Sequence, residues 1–216
     1  VYKRQALDAE IMKGMPPGIT AATGMDALTH AVESYLSKAS TEGTEIQAKA
    51  AVRLIFKHLV AAYHDGNNME ARDGMAVAAF YAGVAFGKTS VGYVHGIAHQ
   101  LGRVCGTPHG NANAMVLPEV LSAYGECVYP RLADLARLVE LGEPGATDRE
   151  LAGAFIDAII AMRSEMELPL QPKDLKAHDV PGIIDEALKE AGGLYPVPRY
   201  MSAEEVRQIV NRLLAA

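Results

Sequence analysis

The sequence has few of the features that mark disulfide-rich or membrane proteins. Its two cysteines, Cys105 and Cys127, form no CxxC pair, which argues against a disulfide framework or a cysteine zinc site and favours buried thiols in a reducing compartment. The longest apolar run, residues 75–87, is shorter than the ~18 residues that a membrane helix needs. No charged-then-apolar leader opens the chain. These absences predict a globular, cytoplasmic protein without a membrane partner.

Patterns for binding nucleic acid or nucleotides are also missing. The net charge is −6 and no basic cluster occurs, so the chain lacks the electrostatic footprint of a nucleic-acid-binding protein. Neither GxGxxG nor GxxxxGK followed by Ser or Thr is present, which leaves no visible cradle for the phosphates of a nucleotide. No GxSxG elbow is found, and this argues against a serine hydrolase.

Helical patterns dominate what the sequence does contain. Alternating β-branched runs are nearly absent, whereas Ala, Leu, Met, Glu and Arg recur with a period near 3.6. With 216 residues and 50% hydrophobic content, the chain can bury a sizeable core. We therefore predict an all-α, multi-helix bundle. The predicted helical windows are residues 20–37, 44–64, 69–86, 131–141, 148–166, 180–191 and 202–214, with a further helix through Met115.

Three positions in this bundle carry more specific expectations. The window 69–86 is rich in alanine and apolar nearly all round, which predicts a central helix buried on every side. Pro118 is expected to break or kink its helix. Ser202 with Glu205 three residues later predicts a capping box at the start of the last helix.

The chain reads as one domain with a short extra segment at its start. Residues 1–5 are charged and show no periodicity, so we treat them as a non-native or unstructured stub. No repeat, low-complexity tract or linker divides the remainder. Residues 6–216 are therefore expected to form a single helical domain.

Histidine is the residue type that points to chemistry. In GMDALTH, Asp26 and His30 are four residues apart inside a predicted helix, which places both side chains on one face, close enough to bind one cation. In YVHGIAHQLG, His95 and His99 share a helix face in the same way, and His109 follows from a loop. Taken alone, an Asp and a His at this spacing more often form a surface ion pair, and a single helical histidine is more often hydrogen-bonded and inert.

The residues around these motifs strengthen the case for a metal. Asp26, His30, His95 and His99 lie among aliphatic residues, where an unpaired polar group costs about 2–7 kcal/mol and a shared cation offsets that cost. Three or more imidazoles with one carboxylate favour zinc or iron over calcium or magnesium, which prefer oxygen ligands. The HxxxH spacing also occurs in metalloproteases, but their glutamate after the first histidine is here Gly96, which argues against a protease.

Three stretches of the sequence resemble the signature of the iron-containing (group III) alcohol dehydrogenases in residue type and spacing. They are GMDALTHAVE (residues 24–33), GYVHGIAHQLG (92–102) and PHG (108–110). The resemblance extends from Asp8 to the PVPR segment before the last helix. In that family an N-terminal α/β domain binds NAD or NADP, and a C-terminal helical domain holds the metal in the cleft between them. The chain resembles the helical domain only, which implies that the nucleotide-binding domain is absent from it.

The resemblance also implies roles for individual residues. Asp26, His30, His95 and His109 would bind Fe²⁺ or zinc, while His99 would lie beside the nicotinamide and the substrate as the catalytic, cofactor-contacting residue that relays a proton. The implied reaction is hydride transfer between a small alcohol or aldehyde and NAD or NADP.

Residues 6–216 would then be the metal-binding catalytic domain of a homo-oligomeric enzyme, inactive without its nucleotide-binding domain. Two alternatives stay open. One is a non-catalytic helical metal-binding module, and the other is a zinc-dependent polyol dehydrogenase related to the glycerol dehydrogenases.

Overall fold

Helices make up the regular structure of this computed structural model, which describes residues 6–214. Three 3₁₀ turns lie among them, at Ala9–Met12, Gly125–Cys127 and Ala177–Asp179, and no strand is found within that range. The predicted all-α, multi-helix bundle is confirmed. Residues 1–5, predicted to be a stub, lie outside the described residues. The helices are α1 (Pro17–Leu36), α2 (Glu42–His64), α3 (Met69–Thr89), α4 (Tyr93–Cys105), α5 (His109–Tyr124), α6 (Tyr129–Leu138), α7 (Asp148–Glu165), α8 (Val180–Leu194) and α9 (Ala203–Arg212).

Local signals in the sequence set several helix boundaries. α7 and α9 begin with capping boxes at Thr147 and Ser202. Each hydroxyl accepts a hydrogen bond from the backbone N–H of the glutamate three residues later, and the side chain of that glutamate accepts one from the backbone N–H of the capping residue. The box predicted at Ser202 is thus confirmed. α4 ends at Gly106, whose φ of 61° lies in the left-handed region that glycine adopts without steric cost.

The helices that carry the two histidine motifs meet near the middle of the bundle. α1 packs against α2, α3 and α5, and α4 packs between α5 and α8. Small residues allow close contact: a Cβ at Gly24 would lie 2.2 Å from Leu59 Cδ1, so α1 and α2 approach more closely than a side chain at that position permits. As a result, α1, α4 and α5 can all present side chains to one point.

α3 is not the central helix that its composition predicted. Ala78, Ala82 and Ala85 are buried against α1 and α2, whereas Ala79 and Phe80 on another face are exposed. The prediction was wrong because a helix that is apolar all round gives no indication of which face its neighbours cover.

Pro118 lies inside α5 without breaking it. The helix continues from His109 to Tyr124, although proline lacks the N–H that would bond the carbonyl of Ala114, one turn earlier. Arg163 of α7 donates to that carbonyl oxygen at 3.4 Å. The expected break is absent, and a neighbouring helix supplies a donor in place of the missing one.

Two expectations from composition can be compared with the structure. Cys105 is partly buried and Cys127 is exposed, so the prediction of buried thiols is wrong for Cys127. None of the helices described between residues 6 and 214 combines the length and hydrophobicity needed to span a membrane.

Candidate metal centre

Helix α1 supplies three polar side chains to the site from one face. Asp26 and His30 are one turn apart, with Asp26 Oδ2 3.8 Å from His30 Nδ1. Glu33 lies almost one turn further along the same face and is buried. The His30 ring stacks on Phe86 of α3, with centroids 4.0 Å apart and planes 11° apart. This stacking fixes the plane of the imidazole.

Helix α4 brings His95 against this face. His95 Nδ1 lies 2.6 Å from Glu33 Oε2, and the backbone N–H of Val94 donates to Glu33 Oε1 at 2.8 Å. Glycine at residue 92 leaves room for the carboxylate in this position, because a Cβ on Gly92 would lie 2.7 Å from Glu33 Oε1. His95 Nε2 is then 3.7 Å from Asp26 Oδ1. Glu33 therefore orients the His95 ring towards Asp26.

Helix α5 begins at His109, which the sequence analysis placed in a loop. His109 Nε2 lies 3.2 Å from Asp26 Oδ1. The next residue, Gly110, abuts the backbone of α1: a Cβ at Gly110 would be 2.2 Å from the carbonyl oxygen of Ala22. A larger residue would push α5 away from α1, so Gly110 sets the distance between His109 and Asp26.

These three helices bring together the four residues that the family resemblance implied as metal ligands. One nitrogen or oxygen atom from each lies within 4.8 Å of the corresponding atoms of the other three. Three imidazoles and one carboxylate are a donor set that suits zinc or iron. The residues present therefore fit one divalent transition-metal ion. The four residues are Asp26, His30, His95 and His109.

Asn113, one turn after His109 on α5, is fully buried and contacts three of the four. Its Nδ2 donates to Asp26 Oδ1 at 2.6 Å and lies 3.2 Å from His95 Nε2 and 3.1 Å from His109 Nε2. Its Oδ1 has no hydrogen-bond partner among the described residues. The amide nitrogen thus contacts the same atoms through which these side chains would bind a cation.

The electrostatics of the cluster favour a charged Asp26 beside imidazoles of unequal basicity. Burial by itself would raise the pKa of Asp26, but hydrogen bonds with His109 and His95 outweigh it and hold that pKa below its ordinary range. Burial lowers the pKa of His30 to about 4 against the attraction of Asp26. For His95, burial is outweighed by hydrogen bonds with Asp26 and Glu33, which raise its pKa to about 9. His30 is therefore neutral at pH 7, whereas His95 must lose a proton before it can bind a metal ion.

His99 lies beside the four-residue cluster. Its ring stacks on His109, with centroids 5.4 Å apart and planes 18° apart, and its Nδ1 lies 2.6 Å from Glu190 Oε1 of α8. The side chain is 40% exposed, so the expectation that aliphatic residues enclose His99 is wrong. It stands at the solvent-facing edge of the site, where a substrate or cofactor can reach an imidazole.

Sequence reasoning missed three residues that orient the histidines. Glu33 follows Asp26 by seven residues, and this i, i+7 spacing on a helix was a usable signal. Asn113 follows His109 by four residues, a signal that needs the helix to begin at His109. Glu190 lies 91 residues from His99, and no local pattern connects them.

Comparisons with known proteins agree with the geometry. The C-terminal domain of the Fe-containing alcohol dehydrogenase family matches residues 20–214, and this confirms the resemblance inferred from the motifs. The 1,3-propanediol dehydrogenase of Citrobacter freundii is 40% identical over 208 residues, which are 95% of this chain and 53% of that protein.

Solved structures show the same fold. A crystal structure of a 1,3-propanediol oxidoreductase superposes with a TM-score of 0.91 at 38% identity, over 96% of this chain and 55% of that one. The sulfoacetaldehyde reductase of Bifidobacterium kashiwanohense, solved in complex with NAD⁺, superposes with a TM-score of 0.84 at 27% identity, over 95% and 53% of the two chains. The chain thus spans about half the length of the relatives that it matches.

Proposed function

Because the chain belongs to the iron-containing alcohol dehydrogenase family, we propose that its described helices hold the metal centre of an NAD- or NADP-linked alcohol dehydrogenase. The observation that carries this proposal is the convergence of Asp26, His30, His95 and His109 from three helices. In the proposal these four bind Fe²⁺, with zinc as the alternative ion. When bound, such an ion supplies a positive charge that favours ionisation of an alcohol hydroxyl.

The side chains of the site have separate tasks in this proposal. Asp26 contributes the single negative charge among the ligands, and His30 is neutral at pH 7 and ready to bind. Glu33 holds the His95 ring in the orientation that directs Nε2 to the centre. These groups position the ion and do not themselves exchange a proton with the substrate.

His99 is proposed as the residue that accepts the proton of the alcohol and contacts the nicotinamide. Its place supports this role, because it stacks on the proposed ligand His109 and is partly open to solvent. Histidine is the side chain that most often serves as a general base in enzymes. In the direction of alcohol oxidation, the hydroxyl would give its proton to His99 and the carbinol carbon would give a hydride to the oxidised nicotinamide, which leaves a carbonyl product and reduced nicotinamide.

The nicotinamide nucleotide is proposed to bind to the half of the enzyme that this chain does not cover. Relatives are about twice as long as the matched region, and residues 6–214 contain no strand followed by a glycine-rich turn. The substrate class is a small alcohol or aldehyde, since the related proteins include 1,3-propanediol dehydrogenases and a lactaldehyde reductase. A cytoplasmic location and a homo-oligomeric assembly belong to the same proposal.

The proposal is tested by comparing the 216-residue chain with a fusion that places the α/β nucleotide-binding domain of a relative before Asp8. Both are loaded with Fe²⁺ or Zn²⁺ and assayed by the absorbance of reduced nicotinamide with ethanol, butanol, 1,2-propanediol and 1,3-propanediol. We expect turnover by the fusion only, and its loss in the matched fusion with His109→Ala. A folded, metal-bound fusion that is inactive on every alcohol favours the non-catalytic module, and turnover by the chain alone contradicts the division of roles.

A further inference from the structure

The Glu190 carboxylate of α8 receives three donors at the edge of the site. His99 Nδ1 lies 2.6 Å from Glu190 Oε1, and the Tyr195 hydroxyl donates to the same oxygen at 2.5 Å. The Gln100 amide donates to Oε2 at 3.1 Å. Both carboxylate oxygens are thus engaged, and the carboxylate is held in one orientation.

The packing of α4 against α8 places Glu190 at this position. Gly96 of α4 faces α8: a Cβ there would lie 3.4 Å from Ala191 Cβ and 3.5 Å from the carbonyl oxygen of Ala187. These are ordinary contact distances, so α4 and α8 are packed directly against each other at this point. His99 and Gln100 follow Gly96 by three and four residues and therefore lie on the same face, where both reach Glu190.

The contact between His99 and Glu190 differs from an ordinary surface ion pair. Glu190 has only 21% of its side chain exposed, and the hydrogen bond to Tyr195 ties it to the segment that follows α8. Burial and this hydrogen bond raise the pKa of Tyr195, so the hydroxyl stays a donor. An exposed Glu with one mobile partner contributes little, but a carboxylate held by two further donors can fix the third group that it contacts.

The His99 ring is constrained from two directions. Its face stacks on His109, with planes 18° apart, and its Nδ1 is bound to Glu190. No hydrogen bond to His99 Nε2 is found among residues 6–214. A carboxylate accepts hydrogen bonds and cannot donate one when ionised, so the nitrogen that faces it must carry the hydrogen.

We infer that Glu190 is a positioning residue that fixes His99 in the Nδ1–H tautomer and leaves Nε2 as the nitrogen that accepts a proton. The functional meaning of this inference rests on the proton-accepting role proposed for His99. Tyr195 and Gln100 hold the Glu190 carboxylate in place through their hydrogen bonds. A carboxylate orients a metal-bound histidine in the same way, but His99 is not among the four converging residues.

The test reads the tautomer directly, without an activity assay. Histidine side chains of the full chain are labelled with ¹⁵N, the protein is loaded with Zn²⁺, and long-range ¹H–¹⁵N correlation spectra are recorded at pH 8.5. The His99 signals are assigned by their loss in His99→Gln. We expect Nδ1 protonated and Nε2 unprotonated in the parent chain.

Substitutions then distinguish a specific effect of Glu190 on the His99 tautomer from a general effect on the fold. Glu190→Ala is expected to shift His99 towards a tautomer mixture or the Nε2–H form with zinc content unchanged, and Glu190→Asp to restore the Nδ1–H signature. Glu186→Ala is the matched control, because Glu186 lies one turn earlier on α8 and pairs with Lys189; it should leave the His99 signals in place.

Each other outcome has a distinct meaning. An Nε2–H tautomer in the parent chain, or an unchanged Nδ1–H signature in Glu190→Ala, overturns the inference. Loss of zinc in Glu190→Ala also overturns it, because Glu190 would then act on the metal centre itself. A parent chain that shows the Nδ1–H signature but binds no zinc supports the inference and contradicts the proposed function.

Discussion

Glu33 Oε2 lies 2.6 Å from His95 Nδ1, and both side chains are almost completely buried. A carboxylate that accepts a hydrogen bond from one ring N–H of a proposed ligand histidine determines that the other ring nitrogen faces the metal. The pair joins α1 to α4 and thereby joins the two sequence motifs.

Glu33→Gln should weaken binding of zinc by about 10-fold to 100-fold, because loss of an outer-shell carboxylate typically costs that much affinity. The amide retains the shape of the side chain, so the helical circular dichroism should not change. Affinity is measured by competition with a chelator. An unchanged affinity in Glu33→Gln would show that Glu33 does not orient a metal ligand.

Zinc affinity should increase with pH well above the ordinary histidine range. The proton and the ion compete for His95, whose pKa is raised to about 9, so affinity should rise about tenfold per pH unit from pH 7 to 8.5 as one proton is displaced. His30, with a pKa of about 4, does not compete in this window.

The control for this pH dependence is the Glu33→Gln variant. It removes one of the two carboxylates that raise the pKa of His95, so its affinity should level off at a lower pH. A parent chain whose affinity is flat above pH 7 contradicts the raised pKa, and identical slopes in the two proteins contradict its attribution to Glu33.

Gly110→Ala should destabilise the chain by about 1 to 3 kcal/mol, because the added Cβ meets the Ala22 carbonyl oxygen and the backbone must shift. The same shift moves His109 away from Asp26 and should reduce metal affinity. Gly153→Ala in α7 is the control, since a Cβ there meets nothing within 4 Å; it should add about 0.5 to 1 kcal/mol of stability. Urea unfolding measures both. Equal effects of the two substitutions would show that the contact of α5 with α1 is not tight.

Helical periodicity identified the pairs whose members lie one turn apart, and the family resemblance added His109. Asp26 and His30 form an i, i+4 pair, and His95 and His99 form another, so their shared faces follow from helix geometry alone. Contacts between helices that are distant in the sequence could not be predicted from this periodicity. Gly96 argued against a protease at the level of sequence, whereas its contact with α8 became visible only with the structure. The bond from His99 to Glu190 and the exposed face of α3 depend on which helices are neighbours, and a periodic pattern does not specify this.

The most direct test of the proposed metal centre compares His109→Ala with His99→Ala. The two rings stack on each other and both are substantially exposed, so neither substitution opens a cavity in the core. Only His109 is among the four converging residues. Each variant is loaded with Zn²⁺, freed of excess ion by gel filtration, and measured by elemental analysis and thermal unfolding. We predict about one zinc per chain in the parent and in His99→Ala, and loss of zinc together with its stabilisation in His109→Ala. Loss of zinc from His99→Ala as complete as that from His109→Ala, or a folded parent chain without zinc, would contradict the account.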